Sequence, residues 1–284
     1  MFEKSLDWIE NNLNKNISIS NLAINAGCSE RYLRYWFKKN TGMNPSEYIT
    51  KRKLTQAAFM LKVTSRPVTD ISLMFGFEHQ TTFSRSFKKF TGMSPQKYRT
   101  SERWNMNYFC PSQTARDTPC FIKYVFFKEK KMIILRKKTF HINFGTDFLT
   151  YNVNKLLFPR KGSFDFIIDF IFNNNRAGDI IIYGELYPGT DCDTILKVWS
   201  GNIIDSGHIN HDIIDICDGD YICFTFSGTP DELMTYHAWA RGHGLHKYGV
   251  IQRNNFSLAS FQPGPENGIY ISHYYLPCCL VRQT

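Results

Sequence analysis

The sequence has 284 residues, 43% of them apolar, with 24 Phe and 15 Tyr, which exceeds one typical domain and supplies apolar surface for two cores. Its net charge of +9 is unevenly spread, because residues 1 to 105 hold 17 Lys and Arg against 8 Asp and Glu, whereas residues 106 to 284 hold 17 against 17. Such a basic segment beside a neutral one points to a nucleic-acid-binding module joined to a part with another task. The longest apolar runs, such as Phe164 to Phe172, are broken by Asp165 and Asp169 and fall short of the roughly 20 apolar residues a membrane helix needs. The start shows no charged region followed by an apolar core, and the eight cysteines form no CxxC pair, so a reduced, cytoplasmic setting without secretion or membrane insertion is expected.

In chain order, Met1-Phe2-Glu3-Lys4 opens directly into an amphipathic pattern, and an internal repeat follows. Phe37-Lys38-Lys39-Asn40-Thr41-Gly42-Met43-Asn44-Pro45 recurs as Phe87-Lys88-Lys89-Phe90-Thr91-Gly92-Met93-Ser94-Pro95 at an offset of 50; upstream, Ile19, Leu22, Ile24 and Gly27 match Val68, Ile71, Leu73 and Gly76 at an offset of 49. Each copy reads as helix, tight turn, helix. Ser20 is expected to cap the first short helix, Gly27 to end it with a positive φ, and Ser29 to cap the next. On that second helix Leu33, Trp36 and Phe37 form the buried stripe, leaving Arg31, Arg34 and Tyr35 on another face. In the second copy Phe83, Phe87 and Phe90 form the stripe, and Gln80, Thr81, Ser84, Arg85 and Lys88 face outward. Asn44-Pro45-Ser46-Glu47 opens a long helix to about Lys62 that joins the copies.

One such unit could be a plain helical bundle with a solvated basic face. Two copies carrying donor-rich side chains at corresponding places, with the whole net charge, favour DNA. Asp70-Ile71-Ser72-Leu73-Met74-Phe75-Gly76-Phe77, Phe83-Ser84-Arg85-Ser86-Phe87-Lys88-Lys89 and Gly92-Met93-Ser94-Pro95-Gln96-Lys97-Tyr98-Arg99 resemble the AraC/XylS family of bacterial transcription regulators over about residues 4 to 103. The resemblance implies an all-α double helix-turn-helix domain (residues 1–105) that activates transcription with RNA polymerase as a partner. It places Arg31, Arg34, Tyr35, Gln80, Thr81, Thr82 and Arg85 at bases. Lys38, Lys39, Lys88 and Lys89 are assigned to phosphates. Members that put this domain first present Trp, Gln and Arg on the first recognition helix, where this chain has Arg31, Arg34 and Tyr35, so that half-site should differ; Gln80, Thr82 and Arg85 are retained.

After a linker at 106–118, short strands are expected at Cys120 to Phe127, Ile180 to Leu186, Ile195 to Ser200, Asp220 to Phe226 and Gly268 to Leu276, with helices at about 164 to 173 and 230 to 243. Gly219 to Gly228, the helix after Pro230, and Ile269 to Pro277 resemble the GyrI-like α+β domain, taken to span 119–284. That resemblance implies an effector-binding cleft for a small molecule. Trp199, Tyr221, Trp239, Tyr270, His273 and Tyr274 are its candidate wall residues, His273 standing where an acid is usual. Aromatic residues in such strands are more often core than site.

His237, His243, His246 and His273 lack the i, i+4 spacing of a helical zinc site, so no metal is expected. No Gly-rich phosphate loop, GxSxG or HExxH occurs, so neither cofactor nor catalytic residues are assigned. The alternatives are a C-terminal part that sequesters a small molecule, acts as a hydrolase (Asp231, Glu232 and His273 being the acid–base candidates) or binds a protein, with DNA binding secondary.

Overall fold

A computed structural model describes residues 2–101, 108–112, 120–143, 165–172, 180–189, 193–204, 212–253 and 256–280. Seven helices come first: α1 (Phe2–Asn11), α2 (Ile19–Ala26), α3 (Glu30–Thr41), α4 (Pro45–Val63), α5 (Val68–Met74), α6 (Gln80–Thr91) and α7 (Pro95–Thr100). Their boundaries follow from capping chemistry. Ser29 Oγ accepts from Tyr32 N, Asn44 Oδ1 from Glu47 N and Ser94 Oγ from Lys97 N, each bond satisfying an otherwise orphaned N–H for about 1 kcal/mol. Gly27, Gly42 and Gly92 end α2, α3 and α6 in the left-handed region. One expected cap is displaced: Ser18, not Ser20, caps α2, accepting from Asn21 N. Ser20 lies inside the helix and donates to Glu30 Oε1 at 2.5 Å.

The long helix α4 divides two cores. On one side Leu6, Ile9, Leu22, Leu33, Phe37 and Tyr48 close the α1–α3 unit; on the other Leu54, Leu61, Ile71, Phe83, Phe87 and Tyr98 close the α5–α7 unit. Between them α4 buries an ion pair. Arg52 gives Glu10 two bonds at 2.8 and 2.9 Å, and Tyr48 Oη donates to the same carboxylate at 2.9 Å. Full pairing is what makes these buried charges tolerable.

The second part is a curled antiparallel sheet. Its strands are β1 (Phe121–Phe127), β2 (Lys131–Asn143), β3 (Ile180–Pro188), β4 (Asp193–Ile204), β5 (Ile213–Asp215), β6 (Gly219–Gly228), β7 (Val250–Gln252), β8 (Phe256–Pro263) and β9 (Tyr270–Leu280), ordered β1-β6-β9-β8-β3-β4-β2-β5 with β7 on β9. Helix α8 (Asp165–Phe172) and helix α9 (Pro230–Trp239) lie on one face, packed on Val198, Ile222, Phe224, Phe226, Phe261, Tyr274 and Leu276. Thr229 and Glu232 form a reciprocal capping box that starts α9. The helix then widens into a π-helical turn at Ala240–Gly244 before a last turn, α10 (Leu245–Lys247). A smaller core of Met132, Ile216, Tyr221, Phe256 and Leu258 occupies the opposite face. A register shift between Ile134 and Arg136 in β2 lets Met132 face that core while Phe140 faces the helices, the reversal a β-bulge produces.

The two parts touch. Thr194 Oγ1 donates to Val63 O at 2.7 Å, and Leu186 packs on the second helical core. Of the expected linker, 108–112 is packed rather than free: Phe109 and Cys110 are buried in the two helical cores, and the remainder lies outside the described residues.

Candidate nucleic-acid interface

The two helix-turn-helix units present equivalent surfaces because their buried stripes are equivalent. Leu33 and Phe37 fix α3, and Phe83 and Phe87 fix α6, so the 3.6-residue repeat turns the intervening positions to solvent. Arg31, Arg34 and Tyr35 on α3 are exposed, as are Gln80, Thr81, Thr82 and Arg85 on α6. Trp36, expected in the stripe, is only half-buried: Tyr32 and Tyr35 meet its ring edge-on at centroid distances of 5.9 and 6.1 Å. In both copies one matched apolar position is outside the core, Ile24 being 77% and Leu73 62% exposed.

The α3 face has an element that residue types alone do not reveal. Glu30 Oε2 accepts from Arg34 Nη2 at 3.2 Å, while Glu30 Oε1 accepts from Ser20 on α2. These bonds, the one from Ser20 first, hold the Glu30 carboxyl below its ordinary pKa. Arg34 is thus tethered along its own helix, with part of its guanidinium fork still unengaged. The i, i+4 spacing of Glu30 and Arg34 is the sequence signal for that pair. Among the described residues no carboxylate is paired with Arg85.

The four candidate phosphate lysines differ. Lys38 Nζ donates to Gly42 O at 2.8 Å and Lys39 lies 5.0 Å from the Trp36 ring centroid. Lys88 and Lys89 are exposed at the end of α6. All four extend the outward faces of the helices, one or two turns beyond the candidate base-contacting positions.

The six candidate wall residues of the second part are distributed over two faces of the sheet. Trp239, Tyr270 and Tyr274 belong to the helix-covered core, whereas Tyr221 and Trp199 belong to the opposite core. Tyr221 and Trp239 are fully buried. His273 bonds Thr225 through Nδ1 at 3.0 Å, on the strand face away from Tyr274. Buried His237 stacks on Tyr274 at 4.0 Å and bonds Ser272 at 2.7 Å; desolvation, then Arg241, pushes its pKa down to about 3. These residues therefore do not converge on one concave surface. Of the hydrolase candidates, Glu232 is occupied in the α9 capping box.

Two bridged helix-turn-helix units, each with a donor-rich outer face, define the class of a double helix-turn-helix domain. Residues 22–101 match the helix-turn-helix domain family. Over 100 residues, 35% of this chain, the sequence is 40% identical to the transcriptional regulator Rob of Salmonella typhimurium and to the right origin-binding protein of Escherichia coli. Over 82 residues it is 39% identical to the multiple antibiotic resistance protein MarA of Salmonella typhimurium, covering 29% of this chain and 65% of that protein. The match to the first two relatives spans 35% of their length. Among solved structures, the C-terminal domain of the response regulator yesN from Fusobacterium nucleatum is 28% identical, with a TM-score of 0.33 over 34% of this chain and 93% of that one. The helical part is an AraC-type helix-turn-helix domain.

Proposed function

We propose that this chain is a sequence-specific DNA-binding transcription regulator whose α3 and α6 enter successive major-groove segments. The observation that carries the reading is the pairing of two equivalent exposed faces, Arg31, Arg34 and Tyr35 on one and Gln80, Thr81, Thr82 and Arg85 on the other, on units bridged by a single helix. Arg suits guanine O6 and N7, Gln suits adenine, and Thr can meet the thymine methyl. Lys88 and Lys89, with Lys38 and Lys39, supply charge toward the phosphates. Duplication within one chain provides two readers where dimeric regulators use symmetry, so a monomer suffices.

One relative is named as a transcriptional regulator, and we extend the reading to action in the cytoplasm as an activator that works with RNA polymerase. The functional units are a DNA-binding domain over 1–105 and a second domain over 119–284 that modulates it in response to a small molecule or partner. Among the described residues no helix is long and apolar enough to cross a membrane. Footprinting of the full chain on genomic fragments tests the reading. The expected result is discrete sites protected over two successive helical turns; binding that only follows salt and never protects a discrete site would overturn it.

A further inference from the structure

The two helix-turn-helix units differ at their turns. Gly27 and Gly76 are matched glycines with φ of +65° and +69°, yet a methyl group built on Gly27 would meet nothing within 4 Å. A methyl on Gly76 would lie 3.1 Å from the carbonyl carbon and oxygen of Lys15 and 3.1 Å from Lys53 Nζ. Lys15 ends the turn after α1, its N–H donating to Asn12 O at 2.8 Å, and so belongs to the first unit. Gly76 belongs to the second. Lys53, from the bridging helix, donates to Lys15 O at 2.7 Å. Three elements thus meet at one point: the end of the first unit's opening helix, the bridge, and the turn that introduces the second unit's recognition helix.

Lys53 is buried, and among the described residues no carboxylate pairs with it. A lysine that serves only solubility would be on the surface. This ammonium sits where the Lys15 carbonyl needs a donor and where a side chain on Gly76 would press on both Lys15 and Lys53.

We propose that Lys53 and Gly76 form a clamp that fixes the second unit against the first, so that the spacing and angle of α3 and α6, and hence the half-site spacing the chain accepts, are set by this contact as well as by α4. The inference rests on the DNA-binding reading. A flexible bridge would allow each reader to find its half-site independently; a clamped pair must find both in one register. Lys53 is in this sense a positioning residue, remote from the exposed faces that meet bases.

The test measures, for the full chain, affinity for its selected duplex and for the same duplex with one base pair inserted between the half-sites. Wild type and Gly27→Ala, which bears the same backbone strain with no contact across units, should reject the insertion to the same degree. Lys53→Met and Gly76→Ala should lose most of that rejection, by roughly tenfold or more, while keeping the base preferences within each half-site. Circular dichroism and thermal melting identify any variant that fails to fold; Gly76→Ala, read against Gly27→Ala, then carries the test without Lys53→Met. Folded variants that reject the insertion as wild type does would overturn the clamp and leave the DNA-binding reading intact. A wild-type chain with no specific site would overturn both.

Discussion

At the scale of single residues, the exposed faces of α3 and α6 differ in how their arginines are held. Arg34 is paired with Glu30, and Glu30 with Ser20, so its guanidinium is biased along α3, whereas Arg85 carries no carboxylate partner among the described residues. Arg34→Gln should move base preference in its half-site from guanine toward adenine. Arg85→Ala should cost about 1 to 3 kcal/mol of binding and relax selectivity at one base pair of the other half-site. Glu30→Gln should broaden the preference at Arg34's position while strengthening binding to random duplex, since it removes a negative charge from a helix proposed to enter the polyanionic groove. Competition binding with single-base variants checks all three. An Arg34→Gln chain with unchanged preference would assign Arg34 to a phosphate instead, where half to two-thirds of protein–DNA hydrogen bonds go. Lys88→Ala should reduce the salt slope by about one unit with sequence preference intact. Lys38→Ala should also destabilise α3, because Lys38 bonds the Gly42 carbonyl at the helix end.

At the scale of elements, α9 carries a testable consequence of burial. His237, enclosed by Ser272, Tyr274 and Arg241, has a folded pKa of about 3, below its ordinary 6.5. The unfolded chain binds the proton first, so stability is present above pH 6.5 and is lost as pH falls through 6.5 toward 3. Urea unfolding of the sheet, followed by Trp fluorescence, should show this loss, and His237→Gln should flatten it; an unchanged pH profile in that variant would remove His237 as the cause. The helices are legible in the sequence because caps and glycines mark their ends, as at Ser29, Asn44, Gly27 and Gly42, and because one repeat confirms the other. The α2 cap falls two residues from its expected place since Ser18 and Ser20 are equally good acceptors and only the fold selects one. Strand β2 is hidden in the sequence. Its bulge at Leu135 breaks the alternation that marks a strand, and Arg136, Lys137 and Lys138 disguise the rest. Strand β8 is hidden as well, because Leu258 and Ala259 face opposite cores and leave no one-sided pattern. Strand alternation alone puts His273 and Tyr274, neighbours on β9, on opposite faces, which already divides the expected wall. Aromatic type alone links Trp199 and Tyr221 to Trp239, and type does not fix which face a residue occupies.

At the scale of the whole molecule, the two parts are coupled through a short packed segment. Cys110 N donates to Thr55 Oγ1 at 3.0 Å, Arg52 Nη1 donates to Cys110 O at 2.6 Å, and His243 of the π-helical turn bonds Ser112 O at 2.9 Å. Charge composition locates the basic module but gives no hint of this segment, whose contacts reach 55 or more residues along the chain. A fragment ending at residue 105 would uncover the Phe109 site and remove one acceptor from Arg52, so it should be less stable than a fragment ending at 112 by about 3 kcal/mol or more. Chemical denaturation of the two fragments checks this; equal stabilities would mean that 108–112 merely rests on α4. On the proposed function, one chain reads two half-sites with two distinct helices. Selection from a randomised duplex library, run in parallel with wild type, Arg34→Gln and Arg85→Ala, tests it most directly. Two blocks of base preference about one helical turn apart are expected, with each substitution altering one position in a different block and leaving the other block as in wild type; a single block, or preferences that neither substitution moves, would rule out two readers in one chain.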